Sequence, residues 1–575
     1  MLTTRTVRGK RLAAIAAAGF LLAGIAACSS GSSSGTAASG SGNSSTSSGS
    51  EPPLVMESSP ENSITKDFNP WDTAGDIYGM GATGLVYEPL YQFDLANPTV
   101  SYPYLATGYT WGDSGRSITF TIRQGVKWSD GTAFTAADVA FTYNLVKANE
   151  AINIDGLDIS SVSTSGNTVT LTFPTAQYMN LEDIAGEAIV PQHIWSTVGN
   201  PGTYADPDPV GTGPYVLSNF TSGGFTMKAN PSYWQPVPVK SVYFPAYTSN
   251  TSATNALFSG QIDWTGNYIA GLQKNFIDTN PSQHIAYEAA DSTNALFPNL
   301  SKWPTNQLPV RQAISAALNR TEVGQEGESG LEQAITNGDG LPQAFSAFAS
   351  GPGSTVTNSA TADVTKAESI LTGAGYKRDS AGYFAKGGQE VDVTIIEPSS
   401  YTDYAQDASI MAQDLMAAGI KATFDGITVN AWDSDVTSGN FSLVLHWGNG
   451  GISPYNLYEG WLNSADDPAN TKGAAGGDFE GLNDAAINAD LAAVAGQSTT
   501  AGQAAALAPV EAYVANNLPV IPVTTAAEWS EINSGHYTGW PSTANPYDSG
   551  QPSGTNNGPG SGTDEVVMLH LSPRT

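Results

Sequence analysis

Side chains able to do covalent chemistry are few in this sequence and poorly spaced for it. The five histidines, at 193, 284, 446, 536 and 570, stand far apart, and none sits in an H-E-x-x-H arrangement, so a zinc site of that kind is not expected. His446 reads as a packing residue able to line a pocket. Gly79-Met-Gly-Ala-Thr-Gly84 has the G-x-G-x-x-G form. No strand pattern precedes it, and it reads as a Gly-rich helix start rather than a dinucleotide site. Gly31-Ser-Ser-Ser-Gly35 has the G-x-S-x-G form, but in a stretch with no strand to hold a strained elbow. No G-x-x-x-x-G-K-[ST] occurs, so the chain carries no P-loop. Carboxylates remain: there are 53 Asp and Glu, and glycosidase pairs have no fixed sequence spacing. A secreted glycoside hydrolase therefore stays open as one reading.

The single cysteine is Cys28. One Cys permits no intramolecular disulfide and no Cys-rich metal site. It follows a basic segment with Arg5, Arg8, Lys10 and Arg11, and an apolar stretch from Leu12 to Ala27. That is a secretory signal, short for a membrane span. Ile25-Ala26-Ala27-Cys28 resembles the bacterial lipobox, which implies lipidation of Cys28. Residues 29–50 contain only Ser, Gly, Thr, Ala and Asn, a composition that builds no core. Such a coil spans roughly 25 Å and suits a tether. The expected location is the outer face of the cell membrane, held by lipid.

The remainder is long, acidic and aromatic. The chain has 575 residues, a formal charge of −31, 13% charged residues, 12 Trp, 24 Tyr and 19 Phe. This charge repels phosphate backbones and argues against a nucleic-acid partner. The apolar content is too high for a disordered chain, and the length suggests more than one domain. A monomer is expected.

Periodicity supplies the elements that must position any site. Ile118, Phe120 and Ile122 alternate as a strand, as do Val169, Leu171 and Phe173. Thr135-Ala-Ala-Asp138 has the form of a helix cap, with Val139, Tyr143 and Val146 at helical spacing behind it. Pro309 opens a short helix. A buried strand is predicted over 391–396, a helix over 401–418 closed by Gly419, and strands over 420–424 and 441–447. A last helix is predicted over 509–517, stopped by Pro519. Strands alternating with helices imply an α/β lobe.

Several segments, in order, resemble one family. Asn69-Pro70 is followed by Tyr87-Glu-Pro-Leu-Tyr91. Then come Ile122-Arg-Gln-Gly-Val-Lys-Trp-Ser-Asp-Gly-Thr-Ala-Phe-Thr-Ala-Ala-Asp-Val139, Val210-Gly-Thr-Gly-Pro-Tyr215, Asn230-Pro-Ser-Tyr-Trp234, Leu257-Phe-Ser-Gly-Gln-Ile-Asp-Trp264 and Val310-Arg-Gln-Ala-Ile314. The set is similar to the solute-binding proteins of bacterial ABC importers, family 5, the oligopeptide/dipeptide/nickel type. The resemblance implies an α/β fold: a large periplasmic-binding-protein-like (type II) two-domain clamp with an extra sub-lobe. It implies residues 1–27 as signal peptide and 28–50 as lipidated Cys and tether. Residues 51–291 become the first domain, with the sub-lobe at about 94–206. Residues 292–518 become the second domain, and 519–575 return to the first domain and end in a tail. It further implies a receptor without enzymatic activity or cofactor, delivering a solute to permease subunits whose ATPase is a separate chain. Trp128–Gly131 reads as a structural turn and Gly211–Pro214 as a tight reversal.

Peptide-binding members hold the ligand's ammonium with an Asp in a segment of the form W-x-x-D…D-P. The matching segment here, Trp447-Gly-Asn-Gly-Gly-Ile-Ser-Pro-Tyr-Asn456, contains no acid. Asn449, Ser453, Tyr455 and Asn456 offer neutral hydrogen bonds instead. Gly539-Trp-Pro-Ser-Thr-Ala-Asn-Pro-Tyr547 is similar to a segment of oligosaccharide-binding members. Sugars need aromatic planes for their C–H faces and fixed polar groups at their edges. The expected ligand is a neutral oligosaccharide, with an oligopeptide as the alternative. The expected ligand-binding residues are Trp447, Asn449, Tyr455, Asn456, Trp540, Trp71, Trp264, Trp432 and Asn299, the last a hinge-side contact or a turn cap.

Overall fold

Short apolar alternations become strands, and one of them opens the ordered chain. In the computed structural model the described residues are 51–58, 63–73, 75–349, 351–471, 477–552 and 563–574. The signal segment, Cys28 and the tether lie outside the described residues. β1 (Leu54–Glu57) buries Leu54 and Met56. β2 (Ala106–Gly112) and β3 (Ser117–Ile122) pair antiparallel, and β3 turns Ile118, Phe120 and Ile122 inward as the alternation predicts. α1 (Ala136–Ala148) starts at a capping box. The Ala137 amide donates to Thr135 Oγ1 and the Thr135 amide donates to Asp138, at 3.3 and 2.9 Å. β4 (Ser161–Ser165) and β5 (Thr168–Thr172) complete a four-stranded antiparallel sheet in the order β2-β3-β5-β4. α2 (Leu181–Ala185) follows it. These elements share a core that includes Leu90, Phe120, Trp128, Tyr143, Leu171 and Ile184, and form the sub-lobe.

The main sheet then builds from both ends of the chain. β6 (Tyr215–Thr221), β7 (Gly224–Ala229), β8 (Ser241–Pro245), β9 (Trp264–Thr265) and β10 (His284–Pro298) come first. α3 (Leu308–Ala317), β11 (Asp392–Pro398), α4 (Thr402–Ala417), β12 (Lys421–Ile427), β13 (Leu443–Trp447), α5 (Pro454–Leu462), α6 (Thr500–Asn517) and β14 (Ile521–Asn533) follow. Ten strands form one sheet in the order β12-β11-β13-β10-β14-β9-β1-β8-β7-β6. β10 and β14 pair from His284↔Asn533 to Leu296↔Ile521, with register shifts between Ala289 and Ser292 and between Asn294 and Ala295.

The two halves of this sheet serve different cores. The first lobe packs Leu54, Phe68, Phe225 and Trp264 with Val567 and Leu571 from the chain's far end. In the second lobe the sheet is covered on both faces. Leu443 and Leu445 of β13 join a core with Ile314, Ile395, Met411 and Leu415, while Val444 joins another with Phe297, Tyr458 and Leu507. Two-sided burial explains why β11 and β13 read as continuous apolar runs.

Two local expectations change. α6 begins at Thr500 and carries Pro509 inside rather than at its start. The Thr499 hydroxyl accepts from the Gly502 amide at 3.1 Å, which supplies the helix start that the sequence reading assigned to proline. Gly79 ends a one-turn helix, Asp76–Gly79, instead of starting one. The reversal at Gly211–Pro214 packs directly on the backbone: a Cβ on Gly211 would lie 1.8 Å from the Val86 carbonyl oxygen. The Ser129 amide donates to the Gly211 carbonyl at 2.9 Å, so the turn at Trp128–Gly131 and the reversal brace each other.

Candidate functional site

In open α/β sheets the ligand crevice lies at the carboxyl ends of the strands. β11 ends at Pro398 and β13 at Trp447, side by side in parallel. Trp447 stands opposite Asn294 of β10 and is half-buried. The first turn of α4 brings Tyr401 and Tyr404 beside it, with ring centroids 6.4 and 5.9 Å from the indole. Tyr404 is held from below: its hydroxyl donates to Asn294 Oδ1 at 2.9 Å. Asn294 Nδ2 donates to both oxygens of Glu332 at 2.8 Å, and Thr524 donates to Glu332 at 2.7 Å. His446 stacks on Trp447 and Trp432, at 3.8 and 5.3 Å. Burial pulls its imidazole down to about 4, so it is neutral and packs.

Beyond Trp447 the chain makes a Gly-rich loop and enters α5. Ser453 caps that helix by accepting from the Tyr455 amide at 3.2 Å. Asn449 is exposed, with its amide over Gly460. Asn456 Nδ2 donates to the Gly450 carbonyl at 3.3 Å. Asn456 Oδ1 and Trp432 Nε1 are buried and have no hydrogen-bond partner among the described residues. Tyr455 is buried and its hydroxyl donates to Glu459 at 3.2 Å.

Acids gather behind α4. Burial raises the Glu397 and Asp407 carboxyls well above the ordinary range. Burial and the neighbouring Asp407 push Glu328 up to about 11. Glu288, on β10 opposite Trp529, rises to about 8, chiefly through burial. At about 11 and about 8, Glu328 and Glu288 are mostly protonated near neutrality. Among the described residues, no group of three or more His, Cys, Asp or Glu side chains is placed to hold a metal ion, and no helix is long and apolar enough to cross a membrane.

The structure thus gathers Trp447, Asn449, Tyr455, Asn456 and Trp432 around the end of β13. It places three other tryptophans in the first lobe's core. Trp71 meets Trp195 edge-on at 5.1 Å and donates to Glu187 at 2.8 Å. Trp264 donates to the Gly550 carbonyl at 2.8 Å and meets Trp540 at 5.5 Å, and Trp540 donates to the Tyr537 carbonyl at 3.1 Å. Asn299 caps the turn after β10: it accepts from the Ser301 amide at 3.0 Å and donates to the Gly439 carbonyl at 3.0 Å. Sequence reasoning missed Tyr401 and Tyr404, although an aromatic pair three apart at the start of a helix that follows a buried strand was the available signal.

Comparison with known proteins bears on the family and the fold. The family model described as bacterial extracellular solute-binding proteins, family 5 Middle, matches residues 101–469. Protein XP55 of Streptomyces lividans is 31% identical over 55% of this chain and 57% of its own length. The nickel-binding periplasmic protein of Escherichia coli is 28% identical over 44% of this chain and 50% of its own. The chain therefore spans about half the length of these relatives. A periplasmic oligopeptide-binding protein of an oligopeptide ABC transporter from Thermotoga maritima has the same fold, with a TM-score of 0.78 and 21% identity over 91% of this chain and 99% of that one. A mannohexaose-bound structure of that transporter protein gives 0.70 and 20% identity, over 91% and 98%. With more than half its length matched by the family model, and with the fold in agreement, this chain belongs to the bacterial extracellular solute-binding proteins of family 5.

Proposed function

We propose that the protein is the solute receptor of an ABC importer, anchored outside the membrane through Cys28. Residues 51–291, with the sub-lobe at about 94–206 and the return over 519–575, form one jaw. Residues 292–518 form the other, and a membrane permease receives the solute. The proposed ligand is a neutral oligosaccharide. One observation carries this: Tyr401 and Tyr404 flank Trp447, and the chain that follows Trp447 carries the amides of Asn449 and Asn456 and no acid from 447 to 456. Aromatic planes with neutral donors and acceptors suit sugar rings, and the mannohexaose-bound neighbour supports the fold's capacity for such a ligand. The oligopeptide reading draws on relatives named oligopeptide-binding proteins, from Lactococcus lactis and Bacillus subtilis.

A thermal-shift screen of the full chain tests the proposal. A ligand at a hundredfold excess over Kd stabilises by about 2.7 kcal/mol. Stabilisation by manno-, cello-, xylo- or chito-oligosaccharides is expected. Stabilisation by di- to pentapeptides alone would replace the sugar with a peptide, and release of shortened sugars on long incubation would point to a hydrolase.

A further inference from the structure

The loop that follows Trp447 lacks an acid, yet a carboxylate lies on it. Glu182, in the first turn of α2 in the sub-lobe, accepts the Ile452 amide at 3.1 Å across 270 residues of sequence. Its side chain is almost wholly buried. Beside it, in the turn Tyr178–Asn180, Met179 leaves the sub-lobe core and packs in the second lobe with Trp432, Tyr455 and Tyr458. Met179 Sδ lies 3.8 Å from Ser453 Oγ, the cap of α5. Tyr178 is braced from its own side by Trp111, edge-on at 5.0 Å.

The receiving loop is shaped for this contact. Gly451 has φ of +126°, which favours glycine, and a Cβ there would lie 2.8 Å from Glu182 Oε2 and 2.6 Å from Asn456 Nδ2. Glu182 accepts the Ile452 amide just ahead of the amino end of α5. A buried hydrogen bond and an apolar knob therefore join the sub-lobe to the loop that carries Asn449 and leads to Asn456.

We infer that Met179 and Glu182 form a latch between the sub-lobe and the Gly448–Ser453 loop, and that Glu182 is a positioning residue for ligand binding. The latch sets the closed arrangement and fixes the loop's backbone for the ligand. This rests on the reading of the 447–456 segment as ligand-bearing. A contact made only in the closed arrangement raises the binding-competent fraction, and losing it weakens apparent affinity in proportion.

The test uses the full chain and the variants Glu182→Ala, Glu182→Gln, Met179→Ala, Gly451→Ala and Trp447→Ala. Small-angle scattering without ligand reads the opening of the clamp, and titration with mannohexaose and tri-alanine reads binding. Glu182→Ala, Met179→Ala and Gly451→Ala should enlarge the radius of gyration. They should also weaken binding of whichever probe the wild type takes, roughly ten- to hundredfold for Glu182→Ala. Glu182→Gln keeps an acceptor oxygen and should restore most of both readouts, which a merely structural role would not predict. Gly451→Ala disturbs the same contact from the loop side and so guards against misfolding of any one variant. Wild-type scattering from all three of these variants overturns the latch. Trp447→Ala should lose probe binding with unchanged scattering. If it binds as the wild type does, or if the wild type takes neither probe, the reading of the loop fails alone, and the scattering still decides the latch.

Discussion

Glu328 and Asp407 pack carboxyl to carboxyl beside Tyr404; burial raises both, and it pushes Glu328 up to about 11. Glu288 titrates at about 8 against an ordinary 4.5. An acid raised in the folded state holds a proton that the unfolded chain has already released. The stability cost is absent below about 4.5 and grows as pH rises, up to about 8 for Glu288. Melting temperature should therefore fall between pH 4.5 and 8, and Glu288→Gln should flatten part of that slope; a level profile in the wild type would falsify the assignment. Trp447→Ala should abolish any ligand-induced change in tryptophan fluorescence, and a full change would move the site elsewhere. At this scale the grouping of Trp447, Asn449 and Asn456 at the end of one strand was legible from segment order, because they share one stretch of chain. Glu182 was not, since nothing local announces that a helix 270 residues upstream will supply the loop's carboxylate. Trp71, Trp264 and Trp540 show the converse: residue type suggested ligand planes, and tertiary packing gives each of them an indole partner and a hydrogen-bond acceptor inside a core.

Elements followed sequence pattern where local chemistry and burial agree. β3 has a strict inward–outward alternation, and α1 has both halves of its capping box, so each was readable from a handful of residues. Thr135→Ala should cost about 1 kcal/mol, measured as a shift in denaturant midpoint at constant slope. Gly211→Ala should cost more, on the order of 1–3 kcal/mol, because the added methyl would meet the Val86 carbonyl; a neutral effect would mean that the reversal relaxes. α6 departed from its pattern at Pro509, where helix-wide packing of Leu507, Val510 and Val514 outweighs the local penalty of proline. Just past the short helix ending at Gly79, Gly81 has φ of +77°, and a Cβ there would lie 1.9 Å from Asp564 Oδ2, from the other end of the chain.

At the scale of the whole molecule, β10 and β14 run unbroken from one lobe's cores into the other's. The ten-stranded sheet is thus shared by both lobes rather than belonging to either. Calorimetry of the full chain without ligand should give one dominant transition, and two well-separated peaks would show that the strand pair does not couple the lobes. The resemblance by ordered segments conveyed the clamp, but not that ten strands would join in a single sheet, because pairings such as β9 with β14 span more than 260 residues. The same pairing dictates an order of assembly. The first lobe's core needs Ile532, Val567, Met568 and Leu571 to pack against Leu54 and Met56, so the residues synthesised first must wait for the last. The second lobe, apart from β14, is complete in sequence well before then. A chain stalled or cut before Ile521 would thus leave the amino-terminal half exposing apolar surface, open to proteolysis, while the 308–517 region already holds most of its own cores.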